Sequence, residues 1–223
     1  MIGIIFAMKE EIDSFLENVE LIKENKIFDI IFYECNYKDK KLVLLESGIG
    51  KVNAARSCQL LIDNYDVKYI INIGVAGSIS KDVEVLDIVV GEKLVQHDFD
   101  LVGFGHEKGY VPKVGVYVKS SDKLCKLIKK SKDVHFGVIA SGDIFLTDNE
   151  LAKKINSDFE ALCVEMEGAS IAQVSYLSNI PFVVIRCISD SVYCENNKMD
   201  YDEFLVKGCK KISKFLLNII KEI

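Results

Sequence analysis

Apolar and polar residues recur along the chain in a pattern that predicts an α/β fold. Short runs that are apolar on both faces, as strands buried in a sheet are, lie between stretches with helical spacing. The predicted strands are Ile2–Phe6, 68–73, 86–90, 136–140 and 182–188. The predicted helices are 9–19, 52–64, 122–130, 149–157, 168–178 and 202–223. We therefore expect one domain over residues 1–223, with a sheet wrapped by helices.

Three local patterns refine this prediction. Residues 30–46 form two strand-like stretches around the polar turn Lys38-Asp39-Lys40, which predicts an antiparallel hairpin and hence a mixed sheet. Thr147 followed by Glu150 matches a capping box that begins a helix. In the last helix, apolar residues with helical spacing predict a stripe buried against the sheet. The stripe contains Leu205, Ile212, Phe215, Leu216, Ile219 and Ile223.

Composition and charge narrow the classes of partner. The chain has 223 residues and is 49% hydrophobic, with two prolines, which suffices for one large core. Its formal net charge of −6 is not accompanied by a basic block, so we expect neither nucleic acid nor a membrane as a partner. No apolar run reaches the roughly 18 residues of a membrane span. Small polar ligands are left as candidates.

The seven cysteines include no CxxC pair and no His–Cys spacing typical of a zinc site. An odd number without a dense framework favours reduced thiols, and hence a cytoplasmic location. We expect neither a metal nor a cofactor.

Acidic or glycine-rich segments follow five of the predicted strands, and a sixth, VEMEG, lies where a further apolar strand is predicted to run into the helix 168–178. In α/β sheets, ligands collect beyond the carboxyl ends of strands, where helix N-termini also point. The segments are MKEE (8–11), SGIGK (47–51), GVAGS (74–78), SGDIF (141–145), VEMEG (164–168) and SDS (189–191). Their arrangement predicts that all six meet at one site.

Each segment has a simpler explanation when it is taken alone. SGIGK lacks the phosphate-loop spacing and GVAGS lacks a full GxGxxG, so both are typical of tight turns. Asp143 and Asp190 fit turn or helix-capping carboxylates, and Met166 fits core packing. Glu10 and Glu11 open a helix, where the helix dipole favours negative charge. Only the combination indicates function.

Together the motifs resemble those of bacterial 5'-methylthioadenosine/S-adenosylhomocysteine nucleosidases. MIGIIFAMKEE, SGIGKVNAA, INIGVAGS, SGDIF, VEMEGASIA, FVVIRCISD and YDEFL occur in that family's order and approximate spacing, over essentially the whole chain. The resemblance implies the nucleoside phosphorylase fold, a three-layer sandwich whose central mixed, partly barrel-like sheet is flanked by helices. It also implies an enzyme that hydrolyses the N-ribosyl bond of adenine nucleosides.

Such a reaction must release a purine and stabilise a ribosyl centre with oxocarbenium character, which is the carboxyl-pair problem of glycoside hydrolysis. The resemblance implies that Asp190 is the general acid at adenine N7 and that Ser189 orients it. It implies that Glu11, across the sugar, is the base that activates water. A general acid of this kind needs a pKa raised by burial or by a neighbouring carboxylate.

The implied ribose contacts come from VEMEG. Glu167 accepts hydrogen bonds from the 2'- and 3'-hydroxyls and supports the developing positive charge, while Met166 lies beneath the sugar. Glu165 is assigned a supporting role. Arg186 is expected to hold Glu11, Glu167 or the water through charge-assisted hydrogen bonds.

The implied adenine pocket has a stacking wall and an edge reader. Phe145 stacks on the purine, the main chain of Leu146 recognises its edge, and the small residues Ala76 and Gly77 allow a close approach. Val75 departs from the serine often found at that turn, so a side-chain hydrogen bond is not expected there.

The implied pocket for the 5'-alkylthio group draws on two subunits. Met8, Ile49 and Phe204 come from the same chain. A neighbouring subunit contributes Leu101, Phe104 and Pro112, so a homodimer is expected. His106 stands where an aromatic residue is familiar, which leaves the preferred substrate tail open.

Two other functions stay open at this point. A phosphorylase of the same fold captures the ribosyl centre with phosphate, but phosphate sites commonly use arginine forks, and Arg186 is the only arginine near the proposed site. Glu11 would also repel an anion. A non-catalytic nucleoside-binding protein is the third reading, against which the joint presence of Glu11, Glu167 and Asp190 argues.

Overall fold

A computed structural model describes residues 1–128, 134–193 and 201–223, with the backbone alone for residues 201–206. The strands are β1 (Ile2–Phe6), β2 (Glu20–Ile27), β3 (Ile30–Tyr37), β4 (Lys40–Glu46), β5 (Tyr69–Ser78), β6 (Ile88–Gln96), β7 (Val118–Lys119), β8 (Val134–Ser141), β9 (Ala161–Glu165) and β10 (Phe182–Ser191). The helices are α1 (Lys9–Leu16), α2 (Lys51–Asn64), α3 (Asp122–Ile128), α4 (Asn149–Phe159), α5 (Gly168–Leu177) and α6 (Tyr201–Ile220).

The sheet closes on itself at one end. Its strand order is β10-β6-β8-β9-β5-β1-β4-β3-β2, and β10 pairs with β5 as well as with β6. A barrel is therefore formed by β5, β9, β8, β6 and β10. Beyond β5 the sheet continues with β1 and β4, which run parallel to β5. It ends with β3 and β2, each of which is antiparallel to the strand before it. This confirms the predicted mixed, partly barrel-like sheet.

Several of the predicted strands run further than expected, and two of them take in motif residues. β5 continues through GVAGS to Ser78, and β10 continues through SDS to Ser191, so these motifs lie inside strands. The two segments pair with each other, placing Asp190 beside Gly77. A sequence pattern does not show this pairing, because glycine and aspartate are uncommon in strands.

The predicted hairpin is present as β3 and β4, which pair in antiparallel register. The predicted helices are also present, although residues 129–130 of the third one lie outside the described residues. The predicted Thr147 cap is wrong. Asp148 caps α4 instead, and its Oδ1 accepts hydrogen bonds from the N–H groups of Glu150 at 2.8 Å and Leu151 at 3.3 Å.

Strands β2 and β7 were not predicted. β2 (ELIKENKI) is mostly exposed at the edge of the sheet, so its side chains carry no buried apolar pattern. β7 has two residues, which is too short for any periodicity.

Apolar clusters cover both faces of the sheet. Neighbouring residues of β1 point to opposite sides. Ile4 belongs to the cluster that contains residues of α1, α3 and α6, and Ile5 to the cluster that contains residues of α2 and α5. Ile212, Leu216 and Ile219 of the predicted α6 stripe are buried in the first of these clusters. Among the described residues, no helix has the length and apolar character needed to cross a membrane.

Candidate active site

Strand ends and helix starts surround one open cavity with about 770 Å³ of space, part of which is open solvent. The carboxylates of Glu11 and Asp190 both line it. The other predicted residues in its wall are Met8, Ile49, Ala76, Gly77, Phe145, Leu146, Met166, Glu167 and Ser189. The six predicted segments therefore meet at one place.

Six further residues line the cavity without having been predicted as contacts: Ala7, Gly74, Val75, Ile144, Val164 and Glu165. Most of them are next in sequence to a predicted residue, so their position beside the motifs could have predicted them. Gly74 has a definite steric reason, because a Cβ there would lie 2.9 Å from Glu11 Oε1. Glycine at this position leaves room for the carboxylate.

Five predicted residues do not line the cavity or fall outside the description, and Arg186, which lies behind the wall, is the first of them. Nothing is described of the Phe204 side chain, so its role stays a prediction. Leu101, Phe104 and Pro112 do not line the cavity of their own chain, and Phe104 is 83% exposed. Their contribution to a neighbouring subunit also stays a prediction.

Glu11 is buried in the first turn of α1. Its Oε2 accepts hydrogen bonds from the N–H groups of Ala7 and Met8, both at 3.0 Å, and its Oε1 accepts one from the Val75 N–H at 3.1 Å. Burial raises the pKa of Glu11, although these N–H groups and the Arg186 charge oppose the effect. A carboxylate with a raised pKa takes up a proton more readily, as a general base must.

Asp190 is exposed toward the cavity at the end of β10. A register shift between Ile188 and Asp190 marks a bulge there, the kind of irregularity that re-aims a side chain beside an active site. Ser189 Oγ lies 2.5 Å from Asp190 Oδ1. A Cβ on residue 77 would lie 3.2 Å from Asp190 Oδ2, so Gly77 leaves space for this carboxylate.

Arg186 lies behind the cavity wall, with 1% of its surface exposed. Its Nη2 pairs with Glu165 Oε2 and donates to Asn72 Oδ1 at 2.6 Å, while Glu167 Oε2 is 4.0 Å away. Arg186 was expected to hold Glu11, Glu167 or the water, but its nearest partners are Glu165 and Asn72. Glu165 is the last residue of β9 and its side chain is buried beside Arg186. Arg186 pairs with it because a buried guanidinium without a nearby anion would be strongly destabilising.

Glu165 supports the neighbouring helix as well as Arg186. Its Oε2 accepts hydrogen bonds from the N–H groups of Glu167 at 3.0 Å and Gly168 at 2.7 Å, which begin α5. Its Oε1 accepts the hydroxyl of Ser141, whose Oγ in turn accepts the Ala169 N–H at 2.7 Å. One acid of VEMEG thus holds the backbone that presents the other.

Glu167 carries the second acid of VEMEG into the cavity. Its Oε1 accepts the Gly50 N–H at 2.9 Å. Burial and the charge of Glu165 raise the pKa of Glu167 to about 7, against the attraction of Arg186. Glu167 lines the cavity, with Oε1 held by the Gly50 N–H and Oε2 4.0 Å from Arg186 Nη2.

Asn72 is the residue of this network that sequence reasoning missed. It is 1% exposed, and its Nδ2 donates to the Ile5 carbonyl at 3.0 Å while its Oδ1 accepts from Arg186. The sequence did contain an indication, since Asn72 is an amide within the apolar run Tyr69-Ile70-Ile71-Asn72-Ile73. A polar side chain in a buried strand needs a hydrogen-bond partner.

The wall of the cavity is acidic. It contains the four carboxylates of Glu11, Glu165, Glu167 and Asp190, and none of the described residues that line it is a lysine or an arginine. Among the described residues, no group of three or more His, Cys, Asp or Glu side chains is placed to hold a metal ion. Proton transfer and hydrogen bonding are the chemistry that this set of side chains supplies.

Sequence comparison with known proteins agrees with the family that the motifs resemble. The family model of the phosphorylase superfamily matches residues 1–221. A 5'-methylthioadenosine/S-adenosylhomocysteine nucleosidase of Oceanobacillus iheyensis is 36% identical over 228 residues, covering 100% of this chain and 99% of its own length. An aminodeoxyfutalosine nucleosidase of Helicobacter pylori is 37% identical, covering 100% of this chain and 99% of its own length.

Solved structures agree with the sequence comparison. A Helicobacter pylori 5'-methylthioadenosine/S-adenosylhomocysteine nucleosidase, crystallised with butyl-thio-DADMe-Immucillin-A, superposes with a TM-score of 0.93 at 37% identity, over 100% of this chain and 98% of that chain. The corresponding Campylobacter jejuni enzyme superposes with a TM-score of 0.94 at 34% identity, over 100% and 99%. The chain therefore belongs to the phosphorylase superfamily and, within it, to the family of 5'-methylthioadenosine/S-adenosylhomocysteine nucleosidases.

Proposed function

We propose that this protein hydrolyses the N-ribosyl bond of 5'-methylthioadenosine and S-adenosylhomocysteine, releasing adenine and the corresponding 5-thioribose. The observation that carries the proposal is that Glu11 and Asp190, which lie far apart in the chain, line the same cavity. In a cytoplasmic setting, the activity would serve methionine salvage and remove by-products of methyl transfer.

The proposed reaction begins with the purine against Phe145 and Leu146. Asp190, oriented by Ser189, transfers a proton to adenine N7, and the bond from N9 to C1' breaks with its electron pair going to the purine. Glu167 accepts the ribose hydroxyls and supports the positive charge at the sugar. Glu11 removes a proton from the water whose oxygen bonds to C1', which completes the hydrolysis.

Water is preferred over phosphate as the nucleophile because of the charges around the cavity. Its wall has four carboxylates and, among the described residues, no cationic side chain. The guanidinium of Arg186 is buried and paired with Glu165. A phosphate dianion would meet repulsion without the arginine fork that such sites commonly use.

Aminodeoxyfutalosine-type nucleosides are a second substrate class. Two Helicobacter pylori relatives that are 37% identical over the full chain are named aminodeoxyfutalosine nucleosidases. Ile49 at the cavity mouth is 53% exposed, so the substrate tail meets an open end of the cavity. 5'-Deoxyadenosine is proposed as a further substrate, because it keeps the adenine and ribose groups.

The product assay tests this function. Incubation with 5'-methylthioadenosine in phosphate-free buffer is expected to release adenine and free 5-methylthioribose, measured by chromatography and mass spectrometry. Added phosphate is expected to leave the products unchanged. A sugar 1-phosphate formed only with phosphate would establish a phosphorylase, and tight binding without turnover would establish a nucleoside-binding protein. Parallel reactions with S-adenosylhomocysteine, 5'-deoxyadenosine and aminodeoxyfutalosine would rank the substrates.

We also propose that the active form is a homodimer. Several large apolar side chains near the cavity or in the 101–112 loop are exposed, and burying such groups is what stabilises a subunit interface. They are Ile49, Val52, Val102, Phe104, Ile144 and Phe145.

Sedimentation at the assay concentration is expected to give a dimer mass near twice 25.1 kDa. Replacing the 83% exposed Phe104 by aspartate is expected to weaken the dimer and lower activity together, since a charge would be buried at the interface. A fully active wild-type monomer would refute the proposal.

A further inference from the structure

The loop that carries the proposed adenine wall is not fixed by hydrophobic packing at its centre. Ile144 is 45% exposed and Phe145 is 74% exposed. Such a loop has few apolar contacts to define its position, so its polar contacts decide where the stacking ring lies.

Asp143 makes two polar contacts directly before Ile144 and Phe145, in addition to the Gly142 N–H, which donates to the Glu165 carbonyl at 3.1 Å. The Asp143 N–H donates to Asp98 Oδ2 at 2.9 Å, and Asp143 Oδ1 accepts the Lys51 N–H at 2.8 Å. Asp98 Oδ1 lies 2.5 Å from Lys51 Nζ, and these two side chains are 19% and 15% exposed. Lys51 Nζ also reaches Gln96 Oε1 at 3.1 Å. We call Lys51, Asp98 and Asp143 the loop tether.

The loop tether also connects to the ribose side of the cavity. Lys51 is the first residue of α2, and the preceding Gly50 donates its N–H to Glu167. Gly50 has no side chain to cap the helix, and its φ of 100° favours glycine. Asp143 therefore caps α2 from a distant part of the chain. One helix start thus joins the loop to Glu167.

Asp98 is ionised in this setting. Burial acts to raise the pKa of Asp98, but Lys51 and the Asp143 N–H together lower it below its usual value. The carboxylate bridges a cation and a backbone donor, and hydrogen bonds to charged groups are about twice as strong as neutral ones. Asp98 itself is absent from the cavity wall among the described residues.

We propose that Asp98 is a positioning residue, which holds Asp143 and Lys51 together and thereby sets the position of the Phe145 loop against the adenine half of the substrate. The proposal rests on the proposed nucleosidase function. It assigns Asp98 to purine binding through the loop. Glu167, on the sugar side, is held by the Gly50 N–H and not by Asp98, so the ribose contacts are expected to survive the loss of the Asp98 charge.

Replacing Asp98 by asparagine tests the proposal. The amide keeps the shape but removes the charge that binds Lys51. We expect KM for 5'-methylthioadenosine to rise roughly five- to tenfold while kcat falls less than about threefold, since Asp190 lies on β10 and not on the loop. The dissociation constant of adenine is expected to rise by the same factor as KM, and that of 5-methylthioribose to stay unchanged. Kinetics and calorimetry with the two products measure this split.

Asp29→Asn is the control. Asp29, in the turn between β2 and β3, pairs with Arg56 of α2 at an exposed position, and its replacement is expected to change neither product affinity. Lys51→Met removes the ion pair with Asp98 by replacing the lysine, and it is expected to weaken adenine binding about threefold. If Asp98→Asn fails to fold, the adenine affinity of Lys51→Met tests the proposal instead. Unchanged adenine affinity in a folded variant, or equal weakening for both products, would overturn the proposal. Wild-type turnover, measured first, separates this outcome from failure of the proposed function.

Discussion

Asp190→Asn is expected to lower kcat for 5'-methylthioadenosine by about 10²- to 10⁴-fold, the range that general acid catalysis contributes. Asparagine has the same shape but cannot transfer a proton to adenine N7. The free energy of unfolding is expected to change by less than about 0.5 kcal/mol, because Asp190 is exposed. Adenine release and thermal unfolding measure the two quantities.

Asp29→Asn serves again as the control, since it removes an exposed aspartate between β2 and β3 that does not line the cavity. Ser189→Ala is expected to give a smaller loss, roughly tenfold, by removing the hydroxyl beside Asp190 Oδ1. Near-wild-type turnover of folded Asp190→Asn would remove Asp190 from its proposed role as the acid.

Glu11→Gln is expected to combine a loss of turnover with a loss of stability. Its kcat is expected to fall by about 10²- to 10⁴-fold, because glutamine cannot accept a proton from water. The carboxylate accepts three backbone N–H groups through its two oxygens, so an amide NH₂ would face at least one donor. That mismatch is expected to cost about 1–3 kcal/mol of unfolding free energy, measurable by chemical denaturation.

The pH profile provides a second measurement for Glu11. Burial raises the pKa of Glu11, and the base acts only when it is ionised. Wild-type kcat/KM is therefore expected to fall as the pH falls through this raised pKa. In Glu11→Gln, the residual activity should no longer fall with the titration of residue 11 at low pH. The titration of Glu167, whose pKa is about 7, should still lower it. A variant with wild-type turnover and an unchanged profile would contradict the role of Glu11.

Several features of the site were predictable because they depend on local sequence. Segments such as SGDIF and VEMEG combine turn residues with acids at the ends of apolar runs, and sheets of this class gather such ends together. The cavity wall contains eleven of the residues that the family resemblance implied for the site. The core followed from the same periodicity, since alternate residues of β1 pack on opposite faces.

Other features depend on contacts between distant residues, which local patterns do not encode. Arg186 was expected at the substrate side but pairs with Glu165, because burial makes the nearest anion decisive. The Thr147 cap was displaced by Asp148, whose carboxylate lies one residue closer to the helix. The tether of Asp98, Lys51 and Asp143 joins residues up to 92 positions apart, so no spacing rule reveals it.

The sequence by itself determined the types of element, the two-sided core and the set of acids available for chemistry, because periodicity and turn residues act over a few neighbours. Only the tertiary structure decided how β10 closes the barrel against β5, which carboxylate neutralises Arg186 and what holds the Phe145 loop. The physical reason is that strand pairing, desolvation and charge pairing depend on distances through space, which are set when remote segments pack together.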